Sequence, residues 1–254
     1  TTRGNWRSNC PSQVEVRISK HLHSGVIGQM VLGTFRMVCL GRKDRRDLAS
    51  LALQESMLLG AETEFLIDQS KEDFNQGEID WRDSLDSANW LILNSSSTLE
   101  GDRMKWAWGA SMTFGELEGC KTAMLVVVPE DSSRMEEAWG SIIDRIRQVH
   151  FLYLSREAVE AVAKLECVES SSLIVDVRDK GLVPLVCSFD PLERAVNIAH
   201  SFGESRIEIG EEISPERWIA GFLCGLSASG SGEGGIEDAA MSIPPNSDFN
   251  RNSN

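Results

Sequence analysis

Histidines are the residues of this sequence that could most directly bind a metal ion. The chain contains His21, His23, His150 and His200, and only the first two lie close together. An i, i+2 pair on a strand directs two imidazoles to the same side, so this pair could supply two metal ligands. No cluster of cysteines or carboxylates accompanies it. The sequence therefore does not predict a metal site.

Motifs of the common enzyme classes are absent. The sequence has neither a GxGxxG nor a GxxxxGK[ST] phosphate-binding loop, and it has no GxSxG or HExxH motif. The carboxylate-rich stretch from Glu62 to Asp86 is typical of a solvated face rather than of an acid/base pair. Trp106 and Trp108 flank a helix-like segment, and we expect them to pack rather than to stack on a ligand.

Composition and charge narrow the classes of partner. The 254 residues carry a net charge of −14, with a pI near 4.8, which argues against general binding to nucleic acid. The dense basic residues are Arg42, Lys43, Arg45 and Arg46. No apolar run approaches the roughly 18 residues of a membrane-spanning helix, so membrane insertion is not expected. The six scattered cysteines, without a CxxC pair, are typical of reduced core thiols in an intracellular compartment.

Fully apolar segments alternate with amphipathic ones along the middle of the chain. The predicted strands are Met37–Leu40, Trp90–Leu93, Ala123–Val128, Phe151–Leu154, Ser171–Val177 and Leu182–Val186. The predicted helices are Arg134–Gln148 and Trp218–Leu226. Apolar strands separated by helices indicate a parallel sheet covered on both faces. The predicted fold class is therefore α/β, with three α/β/α layers and a mostly parallel, doubly wound sheet.

The two ends of the chain differ from its middle. Residues 1–29 show no convincing periodic pattern and are predicted to be irregular, whereas residues 30–226 form the predicted α/β domain. The Ser/Gly-rich composition of residues 227–254 predicts a flexible tail. The chain starts at Thr1, as it would after removal of a targeting peptide, from a plastid protein for example, or in a truncated sequence.

Several segments follow one another in a characteristic order. They are Ser87–Leu93, Ala123–Pro129, Val149–Ser155, Leu173–Gly181 and Ala220–Leu226. This succession resembles the ribokinase-like (PfkB) sugar-kinase family, most closely its 2-keto-3-deoxygluconate kinase branch. The Ala-Gly-Phe-Leu-Cys-Gly-Leu run of Ala220–Leu226 is similar to a helix that follows the family's nucleotide site. The resemblance implies a ribokinase-like fold, partly truncated, and ATP with Mg²⁺ as the ligands of an active member.

The sequence departs from the family at the turn that holds the transferred phosphate. The family's D-T-x-G-A-G-D turn falls on residues 210–216, so its two phosphate-binding glycines are replaced by Ile213 and Pro215. Proline has no N–H to donate, and β-branched isoleucine resists positive φ. Glu216 stands at the position of the catalytic base, and further glutamates precede it. Ser214 and Pro215 instead suit an N-cap and the first position of a helix.

Two further family motifs are altered. In the T-x-G-x-x-G turn near the nucleotide, the first glycine aligns with Arg178, and Gly181 is the second glycine. In the N/S-x-x-E motif that helps to orient the metal, Ser155 aligns, but Ala158 stands at the acidic position, and Glu157 would serve only after a one-residue shift. Residues 1–30 show no match to the family's sugar-binding segment.

These departures predict a catalytically inactive sugar-kinase relative that acts as a structural or interaction subunit with other protein subunits. Plastid fructokinase-like proteins, accessory subunits of a transcription complex, resemble this situation. For such an inactive relative we expect no cofactor and no metal. Two alternatives stay open: an active ATP-dependent sugar kinase, of the 2-keto-3-deoxygluconate or fructose type, with Glu216 or another residue as base, and a sugar-binding module without phosphoryl transfer.

Overall fold

A computed structural model describes residues 35–67, 75–209, 213–241 and 243. Within them, one eight-stranded sheet is formed by β1 (Arg36–Cys39), β2 (Glu62–Phe65), β3 (Trp90–Asn94), β4 (Lys121–Val126), β5 (Val149–Ser155), β6 (Leu185–Asp190), β7 (Ala195–His200) and β8 (Gly203–Glu208). The spatial order is β2-β1-β3-β4-β5-β6-β7-β8. Strands β1 to β6 are parallel, and β7 and β8 follow as antiparallel strands.

Helices cover both faces of this sheet. They are α1 (Leu48–Leu58), α2 (Trp81–Leu85), α3 (Asp102–Glu118), α4 (Met135–Ile143), α5 (Arg156–Glu166), α6 (Leu173–Gly181), α7 (Pro215–Ser229) and α8 (Glu233–Met241). Buried residues of α1, α7 and α8 form one apolar layer, and those of α2 to α6 form the other. The predicted three-layer α/β/α architecture is confirmed.

The central strands show why continuous apolar runs predicted this architecture. All five residues of β3 are buried. Leu91 and Leu93 join the layer of α2 to α6, while Trp90 and Ile92 join the layer of α1, α7 and α8. Because successive side chains point to opposite faces, a strand covered on both sides needs apolar residues at nearly every position.

The segment predicted as strand Ser171–Val177 is helical instead. Residues Leu173–Val177 belong to α6 after a turn at Ser171 and Ser172, and the strand predicted over Leu182–Val186 begins only at Leu185. The buried residues of α6 are spaced as one helical stripe: Leu173, Ile174, Val177 and Gly181. A short apolar run rich in β-branched residues is compatible with either element, and here packing against β6 favours the helix. The predicted helix Arg134–Gln148 is also shorter, because α4 ends at Ile143 and Ile146–Gln148 forms a separate 3₁₀ turn.

Much of the predicted flexible tail over residues 227–254 is folded. Helix α7 continues to Ser229, and α8 follows after a short turn. Ile236 of α8 is buried in the layer of α1 and α7, and Gly225 of α7 allows the backbone of Ala239 to approach closely. The small residues of this Ser/Gly-rich segment therefore allow a tight turn between α7 and α8 and close packing of the two helices. Residues 1–34, including the predicted segment 1–29, and residues 244–254 lie outside the described residues.

Four of the five described cysteines lie in the core, as predicted, and the fifth does not. Cys39, Cys120, Cys187 and Cys224 are buried and unpaired, and Cys167 is exposed and unpaired. Cys10 lies outside the described residues. Across the described ranges, none of the helices combines the length and apolar character needed to cross a membrane.

Candidate functional site

Helix α7 begins at the carboxyl edge of the sheet, where doubly wound folds bind their ligands. The Trp218 ring lies 6.4 Å from the Tyr153 ring and 6.2 Å from the Phe189 ring, near the ends of β5 and β6. One turn later, the Phe222 ring lies 5.6 Å from Phe151, closer to the start of β5. The helix therefore runs antiparallel to these strands, and its first turn lies at the carboxyl edge.

The residues before α7 form a packed helix start. Ile213 is 7% exposed and packs in the apolar layer of α1 and α7. Ser214 is extended (φ −74°, ψ 152°), Pro215 occupies the first helical position, and the Trp218 N–H donates to the Ser214 carbonyl at 2.9 Å. A helix thus begins where the sequence predicts one. The Ser214 hydroxyl, however, makes no capping hydrogen bond, so the expected side-chain cap is absent.

Glu216 lies half-buried in the first turn of α7. Burial raises the pKa of the nearby Tyr153 hydroxyl well above its usual range, and the charges of Glu157 and Glu216 raise it further. Two carboxylates, from the first turns of α5 and α7, therefore act on one neutral phenol at the end of β5. Glu211 and Glu212, the other carboxylates expected in this turn, lie outside the described residues.

The structure does not bring Arg178 and Gly181 to this edge, which corrects their predicted place in a nucleotide-binding turn. Both lie on α6, whose last residue is followed within a few residues by the start of β6. The end of α6 is therefore at the amino edge, across the sheet from the start of α7. A Cβ at Gly181 would lie 2.8 Å from Cγ1 of Ile146, so this glycine serves helix packing. Arg178 pairs with Asp179.

The Ser155-x-x-Ala158 segment is a helix cap. The Ser155 hydroxyl accepts a hydrogen bond from the Ala158 N–H at 3.2 Å, and Ala158 is fully buried. Glu157, between them, is exposed in the first turn of α5. In this arrangement Ser155 satisfies a free backbone donor of α5.

Sequence reasoning missed the polar groups buried near the carboxyl edge. Asn94 ends β3 and is 3% exposed; its Nδ2 donates to the Ser96 hydroxyl at 2.9 Å. Its Oδ1 and the indole N–H of the fully buried Trp218 have no hydrogen-bond partner in the described part of the chain. A signal for Asn94 was present, since an amide directly after the apolar run Trp90–Leu93 marks the end of a buried strand. Tyr153, the one tyrosine of the chain, gave no such signal.

The two described histidines each accept a hydrogen bond from a backbone N–H group in or beside the sheet. His150 Nδ1 accepts from the Thr122 N–H at 3.2 Å, and His200 Nδ1 accepts from the Phe202 N–H at 3.3 Å. Residues 35–67, 75–209, 213–241 and 243 contain no group of three or more metal-binding side chains. His21 and His23 lie outside these ranges.

Comparison with known proteins identifies the fold. No protein-family model matches the sequence, and no curated protein sequence matches it. Solved structures do match. A putative ribokinase II from E. coli in complex with ATP and Mg²⁺ has a TM-score of 0.60 at 9% identity, with 83% of this chain and 92% of that chain covered. An aminoimidazole riboside kinase from Salmonella enterica has a TM-score of 0.59 at 11% identity, with coverages of 82% and 93%.

A fructokinase with bound ATP from Xylella fastidiosa is also similar, with a TM-score of 0.56 at 9% identity and coverages of 82% and 74%. At such low identities the likeness shows the fold and leaves the activity open. The mostly parallel sheet with helices on its two faces is consistent with that fold. The chain therefore has the ribokinase-like fold of the PfkB sugar kinases.

Proposed function

We propose that this chain is a catalytically inactive relative of the PfkB sugar kinases that serves as a structural or interaction subunit of a larger assembly. The observation that carries the proposal is the start of α7. There, a buried isoleucine and a proline stand where the resemblance places the glycines of a phosphate-binding turn. The similar structures include kinases that hold ATP, which makes this turn the part to compare.

A phosphate at a helix N-terminus is bound by free backbone N–H groups that it can approach closely. Pro215 has no N–H to donate, and the Ile213 side chain packs in the apolar layer of α1, α7 and α8. Glu216 already places a negative charge in the first turn, where the helix dipole favours it. A second anion beside it would be repelled by about 1 kcal/mol at 4 Å in water, and by more in a partly buried site. These residues do not fit a nucleotide phosphate.

Calorimetry tests the loss of nucleotide binding. The purified chain is titrated with Mg-ATP, and we expect no heat of binding up to millimolar nucleotide. Micromolar affinity that is lost in Glu216→Ala and retained in Glu160→Ala, an exposed glutamate of α5, would overturn the proposal.

The subunit role needs a separate test. The chain, tagged in its native cells, is purified gently and its mass is measured by size-exclusion chromatography with light scattering. We expect a species much heavier than 28.1 kDa that contains other proteins in fixed ratios. A chain recovered only as a free monomer contradicts the role.

An active sugar kinase is the second candidate, because Glu216 provides a carboxylate at the position of the family's base. ATP-dependent phosphorylation of a panel of hexoses and 2-keto-3-deoxy acids separates the two candidates. Turnover that requires Glu216 would establish the enzyme, whereas absence of turnover across the panel supports the inactive subunit.

A further inference from the structure

A groove lies between α3 and the end of α4, on the face of the sheet opposite α7. Its volume is about 550 Å³, and its lining includes Lys105, Trp106, Trp108, Thr113, Asp144 and Arg145. We call it the α3 groove. Helices α3 and α4 belong to the apolar layer of α2 to α6, so the sheet separates this groove from the start of α7. Its volume falls within the range of 300 to 1,000 Å³ that is typical of binding sites.

Two tryptophans of α3 provide the groove with an exposed aromatic ring and a hydrogen-bond donor. The Trp106 side chain is 61% exposed, which is unusual for an indole that has no role in the core. Trp108 is 2% exposed, and its indole N–H has no hydrogen-bond partner among the described residues. A buried donor without an acceptor is costly, so an acceptor brought by a bound partner would relieve that cost. The sequence-based expectation of packing holds for Trp108 and not for Trp106.

Charge around the groove is opposite to that of the whole chain. The Lys105 ammonium has no ion pair or side-chain hydrogen bond within the described ranges. Arg145 is held in place: its Nη1 donates to the Thr113 hydroxyl at 3.3 Å and to Gln148 Oε1 at 3.1 Å. Asp144 is the one carboxylate among the lining residues that the structure describes. Two cations thus face one anion, on a chain of net charge −14.

We propose that the α3 groove binds an acidic peptide segment of a partner protein that also carries an apolar anchor. Carboxylates of the segment would pair with Lys105 and Arg145, and an apolar side chain would pack on Trp106. A backbone carbonyl would accept from the Trp108 indole. Tryptophan and arginine dominate the binding energy of protein interfaces, and donors outnumber acceptors along this groove, as an acidic ligand requires. The α3 groove would be the partner-binding surface of the proposed subunit, and in this it rests on that role, but it does not involve the phosphate-binding turn.

Fluorescence anisotropy of the full chain tests this site. The probe is a fluorescein-labelled ten-residue peptide of glutamates around a central Leu-Phe pair, and we expect micromolar affinity. Lys105→Glu should weaken binding at least tenfold, since it turns an attraction into a repulsion. The matched control is Lys164→Glu, an exposed lysine of α5 outside the groove, which should change the affinity no more than twofold. Trp108→Phe keeps a ring and removes the N–H, and should weaken binding severalfold.

Other outcomes would overturn the proposal. Equal effects of Lys105→Glu and Lys164→Glu would show charge attraction without a site, and equal binding of an all-glutamine peptide would show that acidity is irrelevant. Competition by N-acetylglutamate at the concentration of the peptide would assign the groove to small carboxylates. A dimer that forms at micromolar chain and excludes the peptide would assign it to a second copy. Since Lys105 is on the surface, Lys105→Glu keeps the test valid even if Trp108→Phe unfolds.

Discussion

Arg217 in the first turn of α7 places its Nη1 2.9 Å from Oε2 of Glu55 in the third turn of α1. The two side chains are only 10% and 25% exposed. The pair therefore joins the start of α7 to α1 in a partly desolvated setting, where the loss of either charge is costly.

Glu55→Gln should lower the free energy of unfolding by about 1–3 kcal/mol, because it removes a nearby negative charge from the partly buried Arg217 guanidinium. Urea denaturation measures the loss. The exposed Arg134–Glu137 pair, at 2.8 Å, provides the control, and Glu137→Gln should change stability by less than about 1 kcal/mol. Equal losses in the two variants would contradict the special role of the Arg217–Glu55 pair.

Two serines precede helices but differ in their hydrogen bonds. Ser155→Ala should cost about 1 kcal/mol, because its hydroxyl accepts from the Ala158 N–H. Ser214→Ala should cost about 0.5 kcal/mol or less, because the hydroxyl of Ser214 makes no capping bond. Thermal melts of the two variants measure which one loses more stability. A larger loss of stability for Ser214→Ala than for Ser155→Ala would show that the Ser214 hydroxyl caps α7 in solution.

Rebuilding the family's turn should not create a kinase. The triple variant Ile213→Gly, Pro215→Gly and Glu216→Asp restores the glycines and the aspartate, but residues 1–30 still show no sugar-binding segment to position an acceptor hydroxyl. It should also be less stable by roughly 2–5 kcal/mol, since Ile213 is buried and glycine adds backbone freedom. The measurements are a thermal melt and ATP-dependent phosphorylation of hexoses and 2-keto-3-deoxy acids.

The single variant Glu216→Asp is the control for that experiment, because it keeps both the buried isoleucine and the proline. It should melt close to the unsubstituted chain. Robust turnover by the triple variant would mean that a sugar site persists, and that the enzyme was lost through this turn alone.

Adjacent glycines at the start of α8 should respond to alanine in opposite directions. A Cβ at Gly234 meets nothing within 4 Å, so Gly234→Ala should stabilise the chain by up to about 1 kcal/mol through helix propensity. A Cβ at Gly235 would clash with the Ser229 carbonyl oxygen and would lie 2.6 Å from that of Gly230, so Gly235→Ala must displace the turn. Urea denaturation compares the two, and equal stabilisation would show that α8 is not packed against α7.

Buried thiols should make stability fall at high pH. Burial raises the pKa of Cys120 and Cys224 from 9.0 to about 12, while in the unfolded chain they deprotonate near 9. The native state holds these protons longer, so stability is complete below pH 9 and decreases between pH 9 and 12. Urea denaturation at pH 8 and 10 measures this decrease, which should be smaller in Cys224→Ser. Iodoacetamide at pH 9 should modify exposed Cys167 and spare both buried thiols.

The layered fold could be predicted because its central strands are buried on both faces. Every residue of Trp90–Leu93 and Phe151–Leu154 is aliphatic or aromatic. Few elements other than a strand buried on both faces of a sheet show this pattern. Helix α6 was not predicted because a short apolar run with β-branched residues fits the periodicity of a strand as well as that of a helix, and the run alone does not show how it packs against β6. Helix α8 was not predicted because Gly234 and Gly235 give its start the composition of a linker.

The candidate site was predicted only in part. The replacement of glycines by Ile213 and Pro215 is readable from the sequence, and so is the helix start. The surroundings of Glu216 cannot be predicted from the sequence in this way, because Tyr153 belongs to β5 and Glu157 to α5. Arg178 and Gly181 were misplaced because an alignment by motif cannot show at which edge of the sheet a helix ends.

A carboxylate fixed in the first turn of α7 has a consequence for how the chain responds to its cell. In a protein whose helix N-terminus binds a phosphate, part of the stability depends on the concentration of that ligand. In this chain Glu216 supplies the negative charge covalently. If the chain binds no nucleotide, as proposed, its resistance to unfolding should be the same whether adenine nucleotides are abundant or depleted.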